Sequence, residues 1–260
     1  MRTNVFGQIC EKHVEACHSL IHRPEGRNWV LPLDIIMPSL PHLHVAAGYA
    51  LEAVYTDNPS RCLSDHSIPY IRPRDRRPLN EFQWERWSDN IPDGYYSPLE
   101  KMVSDGSPES AWETILLEDL YRRLPMFQHA CYGLIDYITN LDTYPKIADI
   151  PQYVEKNTGL PLEVKEVPVE ELPRKHWKTP IFGYKTYDQI REALKYLNDP
   201  SILPSVTQVA EHVFNVKYCY WSDWAGLNQI VKEVRFGKGF ISIKKLSGKN
   251  LAKYDCGICF

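Results

Sequence analysis

Cysteine and histidine residues near the two ends of the chain have the spacing of metal ligands. Cys256 and Cys259 form a C-x-x-C turn, which can direct two thiolates at one zinc ion. A structural zinc ion needs two more ligands, and the N-terminal stretch offers three at helical spacing, Cys10, His13 and Cys17. We predict a structural zinc site if the two termini meet. Simple burial of the cysteines explains the same residues and stays open.

A second histidine pair, His42 and His44, is separated by one residue. On a strand such a pair shares one face, whereas on a helix the two side chains point about 200° apart. Ser39 is a good N-cap, and the apolar spacing that follows predicts a helix over residues 42–55. A helix here does not favour metal binding by the pair.

Two carboxylates and a lysine, Asp149, Glu163 and Lys165, form a third candidate set. Glu163 and Lys165 share one face of a predicted strand. Two carboxylates on adjacent elements can hold Mg²⁺, and a lysine beside them can polarise the attacking water. This layout resembles the PD-(D/E)xK nuclease family, and the resemblance implies a magnesium-dependent phosphodiester hydrolase. A solvated strand face explains the same residues without catalysis.

The C-terminal part of the chain is basic and aromatic. Residues 216–260 carry eight basic and three acidic residues, a net charge of +5 in a chain whose overall charge is −3. Interleaved cations and aromatic rings can neutralise phosphates and stack on bases. A sheet with an aromatic core and a wet lysine face is the alternative. The predicted nucleic-acid surface consists of Lys232, Lys238, Lys244, Tyr220 and Trp221.

The elements that would position these residues are helices first and strands last. Apolar spacing predicts helices over residues 4–22 and 107–141, and a capping box at Ser205 and Gln208 predicts a further one. Residues 216–221 alternate as a strand. A hairpin around Gly237-Lys238-Gly239 would put Lys232 and Lys244 on one face with Lys238 at the turn.

These elements predict an α+β fold with a helical N-terminal and central part and a smaller antiparallel β-rich C-terminal lobe. Residues 1–144 form the mainly helical part, which includes a long loop rich in proline and aromatic residues at 57–106. Residues 145–260 form an α+β lobe that ends in the hairpin. No strand-helix alternation of a doubly wound sheet is present.

Composition limits the class of protein. Hydrophobic residues make up 43% and charged residues 24% of 260 residues, which is typical of a globular chain. No apolar run can span a bilayer, and the seven scattered cysteines favour reduced thiols and a cytoplasmic location. Motifs for dinucleotides, P-loop hydrolysis, zincin chemistry and nucleophile-elbow hydrolysis are absent.

We therefore expect a soluble intracellular interaction protein without a membrane partner. Its partner would be a nucleic acid or another protein, contacted through the basic, aromatic C-terminal lobe. Whether it is an enzyme stays open, and the alternatives are the magnesium-dependent nuclease and a subunit of a larger assembly. The cofactor would be structural zinc or, for the nuclease, magnesium.

Overall fold

The structure is a computed structural model that describes nine stretches of the chain: 5–19, 28–56, 66–79, 92–122, 136–141, 192–193, 195–196, 199–222 and 225–253. The chain divides into two compact units. The first contains Met1–Leu134, Val206–Val216 and Lys232–Lys245, and the second contains Ile135–Ser205, Lys217–Val231 and Leu246–Phe260.

Helix α1 (Val5–Ser19) opens the first unit and is followed by strand β1 (Asn28–Pro32). Strands β3 (Tyr49–Thr56) and β4 (His66–Pro73) complete a three-stranded antiparallel sheet in the order β1-β3-β4. The central strand is buried on both faces, since every residue from Ala50 to Val54 is buried. A strand that is buried on both faces typically has successive apolar residues instead of alternating apolar and polar residues.

A short antiparallel pair and the second helix lie together in the same unit. Strand β2 (Leu43–Val45) pairs with β5 (Met102–Ser104), and helix α2 (Pro108–Glu118) begins four residues later. Ser107 caps α2 as predicted, because its hydroxyl accepts the backbone N–H of Ser110 at 3.1 Å. Residues Ala111 to Leu117 are all buried, so this helix forms the centre of the unit.

Four long or medium strands follow at the C-terminal end of the chain, β7 (Ser205–Ala210), β8 (Val213–Ser222), β9 (Gly226–Gly237) and β10 (Phe240–Ala252). The sheet order is β10-β9-β8-β6, where β6 is Asp136–Tyr137, and β7 also pairs with β8. The predicted strand at 216–221 and the predicted hairpin lie within β8, β9 and β10. The hairpin turn is Lys238-Gly239, and Gly239 has the positive φ of +82° that such a turn needs.

The second unit has an aromatic core of its own. The rings of Tyr137 and Tyr218 meet edge to face with centroids 5.5 Å apart, and Trp221 is buried nearby on β8. The backbone N–H of Ile138 donates to the carbonyl of Cys219 at 2.9 Å. Burial raises the pKa of the Cys219 thiol to about 11, so this cysteine is an uncharged core residue.

The predicted fold class is wrong: strands dominate the described residues, and the N-terminal part contains a three-stranded sheet and a short strand pair in addition to its two helices. The helix predicted over residues 42–55 is instead β2, a turn at Gly48 with φ of +84°, and β3. The helix predicted after Ser205 is β7 and the start of β8. The second stretch is rich in β-branched residues, whose strand preference outweighs a chance helical spacing.

The long helix predicted over 107–141 is correct only in its first part. Helix α2 ends at Glu118, and a 3-10 turn continues to Arg122. Residues 123–135 lie outside the described part of the chain. Helix α1 confirms the N-terminal prediction. None of the described helices is both long and apolar enough to cross a membrane.

Candidate functional site

A histidine and an aspartate face each other where β2 and β5 meet α2. His42 precedes β2 and Asp105 follows β5, and the backbone N–H of Asp105 donates to the His42 carbonyl at 3.3 Å. Their side chains form an ion pair with 2.7 Å between His42 Nδ1 and Asp105 Oδ2. The other carboxylate oxygen of Asp105 accepts the backbone N–H of Ser107 at 2.9 Å. The pair is therefore held by the start of helix α2.

A buried carboxyl group, that of Glu113, lies beneath this pair. Glu113 projects from α2, has no exposed surface, and accepts the backbone N–H of His42 at 2.9 Å through Oε2. Its Oε1 is buried and has no hydrogen-bond partner in the described part of the chain. An ionised carboxylate in that position would be costly, because one of its oxygens has lost water without gaining a donor.

The pKa values of the three side chains differ from their ordinary values, each for a different reason. Burial raises the pKa of Glu113 to about 7, and the His42 hydrogen bond offsets only part of that effect. Burial also opposes ionisation of Asp105, but hydrogen bonds from Ser107 and His42 prevail and lower its pKa to about 2. Burial lowers the pKa of His42, yet the Asp105 hydrogen bond and nearby carboxylates outweigh it and raise the pKa. The cluster can therefore exchange protons near neutral pH.

A second candidate lies at the turn of the β9–β10 hairpin, and we call Lys238, Phe240 and Lys244 the basic tip. All three side chains are exposed, Phe240 with 53% of its surface. Phe240 and Lys244 share one face of β10 because they are four residues apart. A Cβ placed on Gly237 would overlap the Phe240 ring, so the ring lies directly against this glycine.

The remaining residues of the predicted nucleic-acid surface lie elsewhere. Lys232 is on the buried face of β9, and its Nζ is 2.6 Å from Glu118 Oε2 and 3.7 Å from Asp119 Oδ1. Trp221 is a core residue with 2% exposure, and Tyr220 is half-buried. Lys244 is close enough to Glu233 to lower the pKa of that carboxylate, although Arg235 contributes more. Lys232 and Lys244 therefore do not share a face, and the prediction that both lie on one face of the hairpin is wrong.

The N-terminal part of the predicted zinc site is a buried cluster on α1. Cys10 and Cys17 are buried and form no disulfide, and His13 has no exposed surface. His13 Nε2 is 3.6 Å from Cys17 Sγ, and its Nδ1 is 3.2 Å from the hydroxyl of Ser39. Among the described residues no three histidine, cysteine or acidic side chains converge on a point where a metal ion would fit.

Several predicted site residues lie outside the described part of the chain. These are Cys256 and Cys259 of the zinc site and the whole nuclease set, Asp149, Glu163 and Lys165. Both hypotheses stay predictions.

The sequence analysis missed a buried ion pair that shapes residues 72–78, a loop that contains four arginines. Arg72 binds Glu52 through two nitrogens, at 2.8 and 2.6 Å, and Tyr70 donates its hydroxyl to Glu52 at 2.7 Å. Arg72 Nη1 also donates to the carbonyls of Pro73, Arg74 and Arg76. A bidentate pair of this kind fixes geometry as well as charge, so Arg72 holds the loop in one conformation.

The register of β3 and β4 places Glu52 opposite Tyr70, two residues before Arg72. No local sequence pattern predicts that register, so the ion pair could not be found from the sequence. Similarly, Asp105 and Glu113 meet His42 only through the pairing of β2 with β5. Comparison with protein-family models, curated proteins and solved structures found no match for this chain.

Proposed function

We propose that this protein binds single-stranded nucleic acid through the basic tip of the β9–β10 hairpin. The observation that carries the proposal is the combination of exposed, unpaired lysines with an exposed aromatic ring on one short hairpin. Lys238 and Lys244 form no ion pair with any described residue, and Phe240 is the most exposed aromatic side chain of the described part.

The charge of this segment supports an anionic ligand. From Val234 to Tyr254 the sequence contains six basic residues and no acidic residue. One carboxylate, Glu233, precedes this stretch and is paired with Arg235 at 2.6 Å, so its charge is already neutralised. The lysines that remain are point charges on flexible stems, which suit phosphates better than base edges.

Phe240 supports a single strand over a duplex. Its ring lies against Gly237, which restricts its motion, while the outer surface is open to solvent. A pre-positioned ring can stack on an unpaired base, whereas the bases of a duplex are already stacked. Phe240 and Lys244 are about 13 Å apart along the strand, so one short segment of single strand can reach both. We expect little sequence preference.

A fluorescence-anisotropy titration with labelled single-stranded and duplex oligonucleotides of equal length tests this function. We expect tighter binding of the single strand, and we expect Phe240→Ala to weaken that binding by about 1–3 kcal/mol while leaving duplex binding almost unchanged. Lys245→Ala is the matched control, because Lys245 has the same charge but points to the opposite face of β10. If the Phe240→Ala variant binds the single strand as tightly as the parent does, the proposed stacking role of Phe240 is refuted.

We further propose an intracellular location for this activity. Cys10, Cys17 and Cys219 are not joined in disulfides, and reduced thiols are usual in the cytosol.

A further inference from the structure

We propose that His42 and His44 form a binding site for a divalent transition-metal ion on the exposed face of the β2–β5 pair. The strand that replaces the predicted helix at these residues is the basis of this inference. It is independent of the nucleic-acid proposal, since no residue of the basic tip takes part.

The strand geometry places both imidazoles on one face. Leu43 pairs with Ser104 and His44 with Val103, and the bond from Asp105 N–H to the His42 carbonyl extends the ladder by one residue. Leu43 is 2% exposed and faces the core, so the residues on either side of it face outward. His44 is exposed, and the His42 side chain is 35% exposed. Two imidazoles two residues apart on a strand can bind one ion.

Asp105 already orients His42 in the way that a metal ligand requires. A carboxylate accepts hydrogen bonds, so the nitrogen that faces Asp105 Oδ2 at 2.7 Å, Nδ1, carries the proton. The lone pair for coordination is then on Nε2. Ligating histidines commonly donate their other ring N–H to a carboxylate, which fixes the ring and makes it more basic. Ser107 in turn holds Asp105 through its backbone N–H.

The local electrostatics favour a cation. The carboxylate of Asp105, with Oδ2 2.7 Å from His42 Nδ1, places a negative charge beside the ring. A negative charge beside a ligating imidazole stabilises a bound cation. No acidic side chain lies opposite His44, where the partner residue is Val103.

The ligand set determines the class of metal. Within the described residues the protein supplies two imidazole nitrogens and no third convergent side chain, so water would complete the coordination. Imidazole ligands suit Cu²⁺, Ni²⁺ and Zn²⁺, whereas Mg²⁺ and Ca²⁺ require oxygen ligands. We therefore expect binding in the order Cu²⁺ above Zn²⁺, with no binding of Mg²⁺ at this site.

Calorimetric titration with Zn²⁺ tests the site, with the full chain carrying Cys256→Ser and Cys259→Ser as the reference protein. These two changes remove the C-terminal thiols of the predicted structural zinc site, so that they do not contribute to the titration. We expect the reference protein to bind one zinc ion that is lost in both His42→Gln and His44→Gln. His212→Gln is the control, since His212 is an exposed histidine at the β7–β8 turn with no histidine two residues away. Circular dichroism checks that each variant is folded.

Asp105→Asn provides a graded result. It should weaken zinc binding by about 10–100-fold, because the oriented nitrogen of His42 loses its carboxylate partner. Histidine ring NMR should show zinc on Nε2 of His42 with the Nδ1 proton retained. No zinc binding by the reference protein, unchanged zinc stoichiometry in both histidine variants, or Mg²⁺ binding as tight as zinc binding would each overturn the proposal.

Discussion

Lysines on the two faces of the β9–β10 hairpin have different environments. Lys232, on the inner face, is 12% exposed and contacts both Glu118 and Asp119. Lys238 and Lys244, at the turn and on the outer face, are exposed and have no ion pair within the described residues. The same residue type in one hairpin therefore stabilises the fold at one position and is free to bind a ligand at another. The residues that cover each lysine, more than the number of lysines, decide which role each one has.

The largest expected effect is the loss of stability when Lys232 is replaced by methionine. The change removes the Lys232 cation from Asp119, which is 6% exposed, and from Glu118. Breaking a buried ion pair from one side typically costs about 3 kcal/mol or more, and we expect about 3 kcal/mol here because Glu118 is partly exposed. Urea denaturation measures the difference.

Lys244→Met is the matched control, and its effect should stay within about 0.5 kcal/mol because Lys244 is exposed on the outer face. Equal effects of the two substitutions would show that the inner and outer lysines do not differ. Oligonucleotide binding by folded Lys232→Met should match that of the parent.

The second prediction concerns the buried acid, Glu113. Its folded-state pKa of about 7 is above the ordinary value of 4.5, so the native state holds the proton more tightly than the unfolded state. The stability that this proton provides is fully present below pH 4.5 and is lost as the pH rises through about 7. Between those values the free energy of unfolding should fall with a slope of up to about 1.4 kcal/mol per pH unit.

His42 contributes with the same sign, because its pKa is also raised in the folded state. Urea denaturation between pH 5 and 8 in the presence of EDTA, which removes bound metal, measures this dependence. Glu113→Gln keeps an acceptor for the His42 N–H and cannot ionise, so its profile should be flatter than that of the parent. A parent stability that rises from pH 5 to 7 would contradict the interpretation.

The third prediction separates the Phe240 ring from the backbone of the turn. Gly237→Ala would place a methyl group where the Phe240 ring lies. The backbone at Gly237 does not have a positive φ, so the methyl group itself causes no backbone strain. Single-strand affinity should therefore fall toward that of Phe240→Ala, with a stability loss below about 1 kcal/mol.

Gly239→Ala is the opposite case. Gly239 has φ of +82° and no atom near its missing Cβ, so the substitution strains the turn but does not touch the ring. We expect a larger stability loss and a smaller loss of affinity for this variant. The reverse order would show that turn geometry, not ring position, determines binding.

Some of the fold could be predicted from local chemistry. Ser107 and Pro108 mark the start of α2 correctly because capping depends on neighbouring residues. Gly237-Lys238-Gly239 marks the hairpin for the same reason. The helix prediction for residues 42–55 is wrong because β3 is a central strand buried on both faces. Such a strand lacks the alternation of apolar and polar residues that identifies a strand with one exposed face.

The candidate sites depended on pairing that no local pattern contains. His42 and Asp105 are 63 residues apart and meet through the pairing of β2 with β5. The predicted helix separated His42 from His44, whereas the observed strand brings them to one face. The sequence predicts Lys232 at the surface, because the alternation within one strand cannot show that the end of α2 covers that face.

The most direct test of the nucleic-acid proposal is the salt dependence of single-strand binding in variants of the basic tip. Each lysine that neutralises a phosphate releases condensed counterions, so removing one should make the slope of log affinity against log salt shallower by about 0.7. We expect this change in Lys238→Ala and Lys244→Ala and an unchanged slope in Lys245→Ala and Phe240→Ala. No binding by the parent at low salt, or a slope that none of these substitutions alters, would contradict the proposed function.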